Sequence, residues 1–493
     1  MNIQQFLSHH GIVRNPFAEE DAQIDPVFKD HCIDSAFHPV WDKVYGDPRE
    51  PSTSIVFGPK GAGKTAMRLQ VQRKVELYNR DNPSRRLFVV RYDDFNPFLG
   101  QFQQRLTKRQ SRSADKILAA WQLWDHMDAI LSLAVTDLVN QVVDANSAKE
   151  GSLTNDDVQR INDSESRDLL LLAMTYDHST SGVTVDRWKR LKKTLNYQRW
   201  FIGWDCLLAW VWGISMIILV ISLKRSDHIS LLTAAWLLPL LVVVGNMPYI
   251  WRWLRCQWLA MGIRRHMRVG NRETGTLRKL LMRIPPRELA SQQLPRHNRT
   301  DDRYASLAKL QGILRTLRYD GMLVLLDRVD EPEAIEGRIE RMKSFVWPLL
   351  DNKLLKHTGI GFKMMLPREL YRETEREDRS FHERARLDKQ NVISDFNWTG
   401  QALYDVMSSR ISACAAPDRK PSPADLFDSN ISRDRLMSVF ESLRVPRHLF
   451  RCLYRMLVEH CNQHTDMDAK FQLKSETVEK VLAVYQRDIE SSI

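Results

Sequence analysis

The sequence predicts an α/β fold with a parallel sheet, interrupted by a helical insertion and a two-helix transmembrane hairpin, and followed by a helical C-terminal lid. Three observations carry this. A short β-branched and apolar run, Thr53–Phe57, leads into a glycine-rich loop and a helical pattern. A second apolar run, Met322–Asp327, ends in a carboxylate. More than 260 residues separate Thr65 from Asp327, and two long uncharged runs lie among them.

The first element is the loop itself. Gly58-Pro59-Lys60-Gly61-Ala62-Gly63-Lys64-Thr65 fits G-x-x-x-x-G-K-[ST]. Glycines at 58, 61 and 63 let backbone N–H groups turn inward around phosphate oxygens. The helical pattern from Ala66 to about Asn79 adds the positive end of its dipole. In this motif Lys64 reaches the β- and γ-phosphates, and the Thr65 hydroxyl ligates Mg²⁺. The nucleotide-binding set is therefore Gly58 through Ala66.

A loop of this kind needs an acidic strand end. Met322–Asp327 (MLVLLD) supplies it, and Asp330 and Glu331 follow. Asp327 is expected to hold Mg²⁺ through water. Asp330 or Glu331 would orient and deprotonate the attacking water, with Glu331 preferred. Further strands are expected at Leu87–Tyr92, Gly359–Leu366 and Asn391–Trp398, with a helix over Arg303–Tyr319. Arg368 follows a strand end, where a nucleotide sensor fits. Arg447 opens a helical pattern, Arg447–His460, from which an arginine can contact the γ-phosphate. Arg410 is a further arginine-finger candidate.

The middle of the chain reads differently. Net charge is +11, but Arg187–Arg272 holds 14 basic and 2 acidic residues, and the remainder balances to −1. Within this stretch Cys206–Leu223 and Ile229–Ile250 are free of charge. At ~1.5 Å per residue they would be about 27 and 33 Å long, enough for a hydrocarbon core of ~30 Å. Six basic residues precede the pair, six follow it, and only Lys224 and Arg225 lie between, which places both flanks and both termini in the cytoplasm. Nine of the 14 tryptophans fall between Trp188 and Trp258, as interfacial belts require. The competing readings are a buried helical hairpin and, for the basic flanks, a nucleic-acid patch. Anionic lipid headgroups account for the flanks without further assumptions.

Composition sets the outer limits. With 493 residues, 43% hydrophobic and 27% charged, the chain can bury a large core. Only 20 Gly and 20 Pro exclude a collagen-like or low-complexity chain. The six cysteines form no CxxC pair, which argues against a zinc ribbon or disulfide scaffold and for a reducing compartment. Met1–Phe17 has no apolar core of a signal peptide. The organisation expected is 1–106 as the loop-bearing part of the core and 107–186 as a helical cytoplasmic insertion, containing helices over Asp115–Ala145 and Leu153–Tyr176. The hairpin with its flanks follows at 187–272, the acidic-strand part of the core at 273–370 and a helical lid at 371–493.

This arrangement resembles the KAP family of P-loop NTPases, in which transmembrane helices are inserted between the Walker A and Walker B motifs. The matching parts are Gly58–Thr65, the two uncharged runs and Asp327–Glu331. The D-R-V-D-E segment is closer to the D-x-x-D-E pattern of the related STAND signalling ATPases. The resemblance implies an ASCE-type P-loop NTPase core, ATP and Mg²⁺ as cofactors, and a multi-pass protein of a bacterial inner membrane. It implies homo-oligomers, a protein partner or effector, and a signalling or phage-defence role. ATP is preferred over GTP because no guanine-specific N-K-x-D appears. Three functions compete: a membrane-anchored ATPase switch, a membrane-tethered ring motor acting on DNA or protein, and a catalytically weak nucleotide-bound scaffold, against which the intact Lys64, Thr65 and Asp327 argue. The neutral remainder of the chain does not favour the motor, and direct nucleic-acid contact stays open.

Overall fold

The structure is a computed structural model that describes residues 1–145, 153–179, 183–197, 204–225, 243 and 246–490. Five strands, β1 (Ser54–Gly58), β2 (Arg86–Tyr92), β3 (Tyr319–Leu326), β4 (Ile360–Pro367) and β5 (Asn391–Ile393), form one parallel sheet in the order β2-β3-β4-β1-β5. The register sets Val56 against Met365 of β4 and Ile393 of β5, and Val324 of β3 against Phe362 of β4. β1 and β4 are buried along their whole length, as near-continuous apolar strands of a parallel sheet are. The expected fifth strand is shorter than its sequence suggested. It ends at Ile393 because Phe396 and Trp398 turn toward the loop after β1, where they pair with side chains and a backbone carbonyl instead of a ladder.

The chain divides into two compact units. One comprises 1–82, 91–94 and 321–493; the other comprises 83–90 and 95–320. In the first unit, helices Gly400–Ala413, Arg433–Leu443, Pro446–Gln463 and Ser475–Glu490 share a core that includes Leu403, Phe440, Leu453 and Leu482. Phe6 and Leu7, from the capped N-terminal helix Ile3–His9, are buried in the same cluster. Ile12, Phe17 and Cys32 join it too. The N-terminal residues, grouped by sequence with the loop, are thus packed into the C-terminal helices.

Apart from most of β2 and the first residues of β3, the second unit is helical among the described residues. The expected helix Asp115–Ala145 is broken: Ala114–Ala119 and Leu123–Val143 are separate. Asp125 restarts the second by accepting from the Gln122 backbone N–H at 2.9 Å in a capping box. Leu153–Tyr176 splits likewise, into Asn155–Gln159 and Asp163–Tyr176, at a capping box of Asn162 and Glu165. Charge is buried between these helices. Arg303, on Thr300–Thr316, clamps Asp128 through two bonds of 3.0 and 2.8 Å, and the Tyr176 hydroxyl donates to the same carboxylate. Arg268 holds Asp125 in the same bidentate way. Breaking such a pair leaves an uncompensated buried charge and costs about 3–5 kcal/mol.

The first uncharged run is helical, within Trp204–Arg225. Leu208, Trp210, Ile214, Ile218 and Ile221 are exposed along it. Taken over the described residues, no helix is long and apolar enough to cross a membrane. Most of the second run, Ile229–Ile250, lies outside the described residues. At its end Asn246 is a turn, and Met247–Ile250 open the helix Met247–His266. Pro248 suits its first turn, since that position needs no N–H partner.

Lys363 generates a stability prediction. It sits in β4 between Ser54 of β1 and Leu325 of β3, 1% exposed, with no hydrogen-bond partner at its amine among the described residues. Burial pushes the amine down to about 7. The unfolded chain therefore binds the proton more tightly, and stability rises with pH from about 7 toward the ordinary lysine value of about 10.5. Lys363→Met should raise the thermal unfolding midpoint at pH 6. The gap to wild type should narrow as pH rises toward 10.

Candidate active site

β1 ends at Gly58, and the chain reverses through Pro59–Gly63 into the helix Lys64–Asp81. Gly61 and Gly63 have φ of +84° and +90°, where side chains are strained. Gly61 has a second reason: a Cβ there would lie 2.7 Å from Cβ of Arg447. Lys64 donates from Nζ to the carbonyls of Gly58 (2.8 Å) and Pro59 (2.9 Å), so its ammonium is folded back along the loop. Burial pushes its pKa down, while the charges of Asp327, Asp330 and Glu369 oppose the shift.

Asp327 follows β3 and is 2% exposed. Burial pushes its carboxyl up; a hydrogen bond from Thr65 and the charge of Arg68 act against this. Oδ1 accepts from the Arg328 backbone N–H at 2.9 Å. Oδ2 lies 3.4 Å from Nε of Arg68, an ion pair without hydrogen-bond geometry. Arg68 in turn holds Asp93 at 2.9 Å. A buried carboxylate oxygen lacking a donor, beside a threonine hydroxyl, is an oxygen donor set that fits Mg²⁺, which takes few protein ligands and completes its shell with phosphate and water.

These residues open onto a cavity of about 180 Å³ in the first unit. Of the sequence-predicted set, Lys60, Gly61, Gly63, Lys64, Thr65, Ala66, Asp327, Asp330, Glu331 and Arg447 line it. Gly58, Pro59 and Ala62 do not; they act through their carbonyls, Gly58 and Pro59 toward Lys64, and Ala62 toward the Trp398 indole N–H at 2.8 Å. Glu331 lies 3.5 Å from Arg328, its side chain 58% exposed. Burial pushes its carboxyl up, opposed by Arg328 and reinforced by Asp330, Asp327 and Asp21.

The three arginines separate. Arg447 opens the helix Pro446–Gln463, and its backbone N–H donates to Gly61 O at 3.3 Å, which ties that helix start to the loop. Arg410 faces the cavity but is bound elsewhere: to Asp25 at 2.6 Å, to Pro16 O at 2.7 Å, and over the Phe450 ring. It anchors the N-terminal segment. Arg368 is not on the cavity wall and lies 3.9 Å from Asp395.

Sequence reasoning missed Glu20, Asp21 and His38 on the cavity wall, and Arg68 and Asp93, which are tied to Asp327 by ion pairs behind it. Asp93 carried the same signal as Asp327, a carboxylate directly after an apolar strand. Arg68 stands four residues after Lys64, on the same helix face. His38, stacked on Phe396 at 4.0 Å and kept neutral by burial, at about 4, gave no local signal. Neither did the acidic pair Glu20-Asp21. No family model, no curated protein and no solved structure matches the chain.

Glu20 binds Arg451 at 2.7 Å and lies 3.9 Å from Arg447. Asp21 lies 3.9 Å from Arg328. Both acids line the cavity and occupy arginines that an anionic ligand would use. Glu20→Gln should therefore strengthen ATP binding, by about fivefold for one partly exposed ion pair. Nucleotide titration of the two proteins checks this. Unchanged or weaker binding means that Glu20 does not compete.

Proposed function

We propose that the chain is a membrane-anchored ATPase acting as a nucleotide-dependent switch, with ATP and Mg²⁺ as its cofactors. The observation that carries this is the meeting of Lys64 and Thr65, at a helix start after a glycine loop, with the buried Asp327 at the end of another strand of the same sheet. The strand order supports it as well. β4 lies between the strand entering the loop and the strand ending at Asp327, as in the ASCE division of P-loop NTPases. Two strand spacings of ~4.8 Å leave room there for a terminal phosphate, a metal and a water. The ligand would enter at the carboxyl ends of parallel strands, the usual place in open α/β sheets.

In this reading Lys64 leaves the Gly58 and Pro59 carbonyls and turns to the β- and γ-phosphates. Thr65 and Asp327 would hold Mg²⁺, which when bound would supply charge neutralisation at the phosphates. Glu331 orients the attacking water and takes its proton, its raised pKa making it a better base. Arg447 senses the γ-phosphate. Because its backbone is bonded to Gly61 and its helix belongs to the bundle that also buries the N-terminus, occupancy of the loop is passed to those helices. The exposed apolar faces of Trp204–Arg225 and the one-sided basic flanks support anchoring in a membrane with both flanks in the cytoplasm. A signalling or defence role remains the extension that the KAP and STAND resemblance suggests.

Two experiments test the reading. Lys64→Ala should lower ATP turnover at least a hundredfold through loss of the phosphate counter-charge, whereas Glu331→Gln should keep ATP binding and lose turnover, measured by phosphate release. Normal turnover in Glu331→Gln with loss in Asp330→Asn moves the base to Asp330. Cysteine labelling in sealed vesicles should find only residues 224–228 outside. Recovery of the chain without detergent contradicts the anchor.

A further inference from the structure

The helix Met247–His266 has two unlike faces. Arg252, Cys256, Leu259, Ala260 and Ile263 are buried, and Arg252 donates to the carbonyls of Met282 and Ile284. On the opposite side Met247, Trp251, Leu254, Trp258 and Met261 follow one another at helical spacing, and all are exposed, Trp251 by 70% and Trp258 by 74%. Arg255, Arg264 and Arg265 are exposed beside this stripe, and the helix contains no Asp or Glu.

Next to the stripe is a cavity of about 230 Å³, lined by Arg255, Trp258, Leu259, Leu289, Gln292 and Arg296 among others. The Arg296 stem lies along the helix at Gly262, where a Cβ would stand 3.7 Å from its Cγ. Neither guanidinium has an ion-pair partner among the described residues. The cavity thus offers two uncommitted cations, an amide and an indole above an apolar floor.

We propose that Met247–His266 lies along the membrane surface, with Trp251 and Trp258 in the interface and the Arg255–Arg296 cavity holding the phosphate of an anionic phospholipid. This rests on the anchored reading above. Three features select lipid over another occupant. The last four residues of the second uncharged run, Met247–Ile250, form the first turn of this helix, so its N-terminus lies where that run ends. Its exposed face pairs tryptophan with arginine, the composition of interfacial amphipathic helices. Its charge is of one sign, complementary to anionic headgroups. The helix is then a surface-bound arm, and not a straight cytoplasmic continuation of the hairpin.

The test uses the full chain in vesicles of phosphatidylcholine alone or of equal parts phosphatidylcholine and phosphatidylglycerol. Trp251→benzoylphenylalanine and Trp258→benzoylphenylalanine are each irradiated and the adducts identified by mass spectrometry. Lipid adducts are expected at both positions, with phosphatidylglycerol captured preferentially at 258. That preference should fall by about fivefold for each arginine removed in Arg255→Gln and Arg296→Gln, with membrane recovery unchanged. Adducts to protein, or to no lipid, from chains that stay in the membrane overturn the surface arm while leaving the anchor intact. Equal capture of both lipids overturns the headgroup site. Release of the chain into the soluble fraction sinks the anchor itself.

Discussion

A carboxylate with 2% exposure must be compensated, and the first unit is arranged around that requirement at Asp327. Arg68 lies between Asp327 and Asp93 and supplies the compensating charge. Thr65 and the Arg328 N–H supply hydrogen bonds to the same carboxylate. Among the described residues, one Asp327 oxygen is left without a hydrogen-bond donor. Single removal of Arg68 would strand two acids, whereas a divalent cation beside Thr65 would satisfy the remaining oxygen. A site compensated halfway in this manner is suited to bind and release a charged ligand.

The site occupies its own cations. Lys64 is bonded to loop carbonyls, Arg447 lies near Glu20, Arg328 lies between Glu331 and Asp21, and Arg410 is committed to Asp25. The pairs of Arg447 and Arg328 are long and partly exposed, whereas the Arg410–Asp25 pair is buried. Nucleotide would exchange the partly exposed ones for phosphate contacts. The segment around residues 16–25 is fixed through Arg410 and the buried Phe17, while Glu20 and Asp21 face the cavity through partly exposed ion pairs.

Much of this was legible in the sequence, for physical reasons. Strands β1 to β4 are built on apolar runs ended by Gly, Asp or Pro, and each falls within a few residues of its expected place. The loop residues are named by a spacing that the chemistry requires. Helix breaks at Ala120–Gln122 and around Ile161 were written in their capping boxes, but the apolar periodicity runs across both and conceals them. Residues 394–398 looked like strand because Phe396 and Trp398 are strand formers; their tertiary partners, His38 and the Ala62 carbonyl, are distant in sequence. Glu20, Asp21 and His38 were invisible for the same reason. Their roles arise from ion pairs and stacking more than 300 residues away along the chain, which no local pattern encodes.

The claim on which the rest depends is that Asp327 and Thr65 accept a metal together with a nucleotide. The most direct measurement is the affinity for ATP with and without Mg²⁺, by calorimetric titration of wild type and Asp327→Asn, with folding of both verified by thermal unfolding. Wild type should bind more tightly when Mg²⁺ is present, and Asp327→Asn should lose most of that increment while retaining the metal-free affinity. An increment of equal size in both proteins, or no ATP binding by folded wild type, would contradict the assignment of the site.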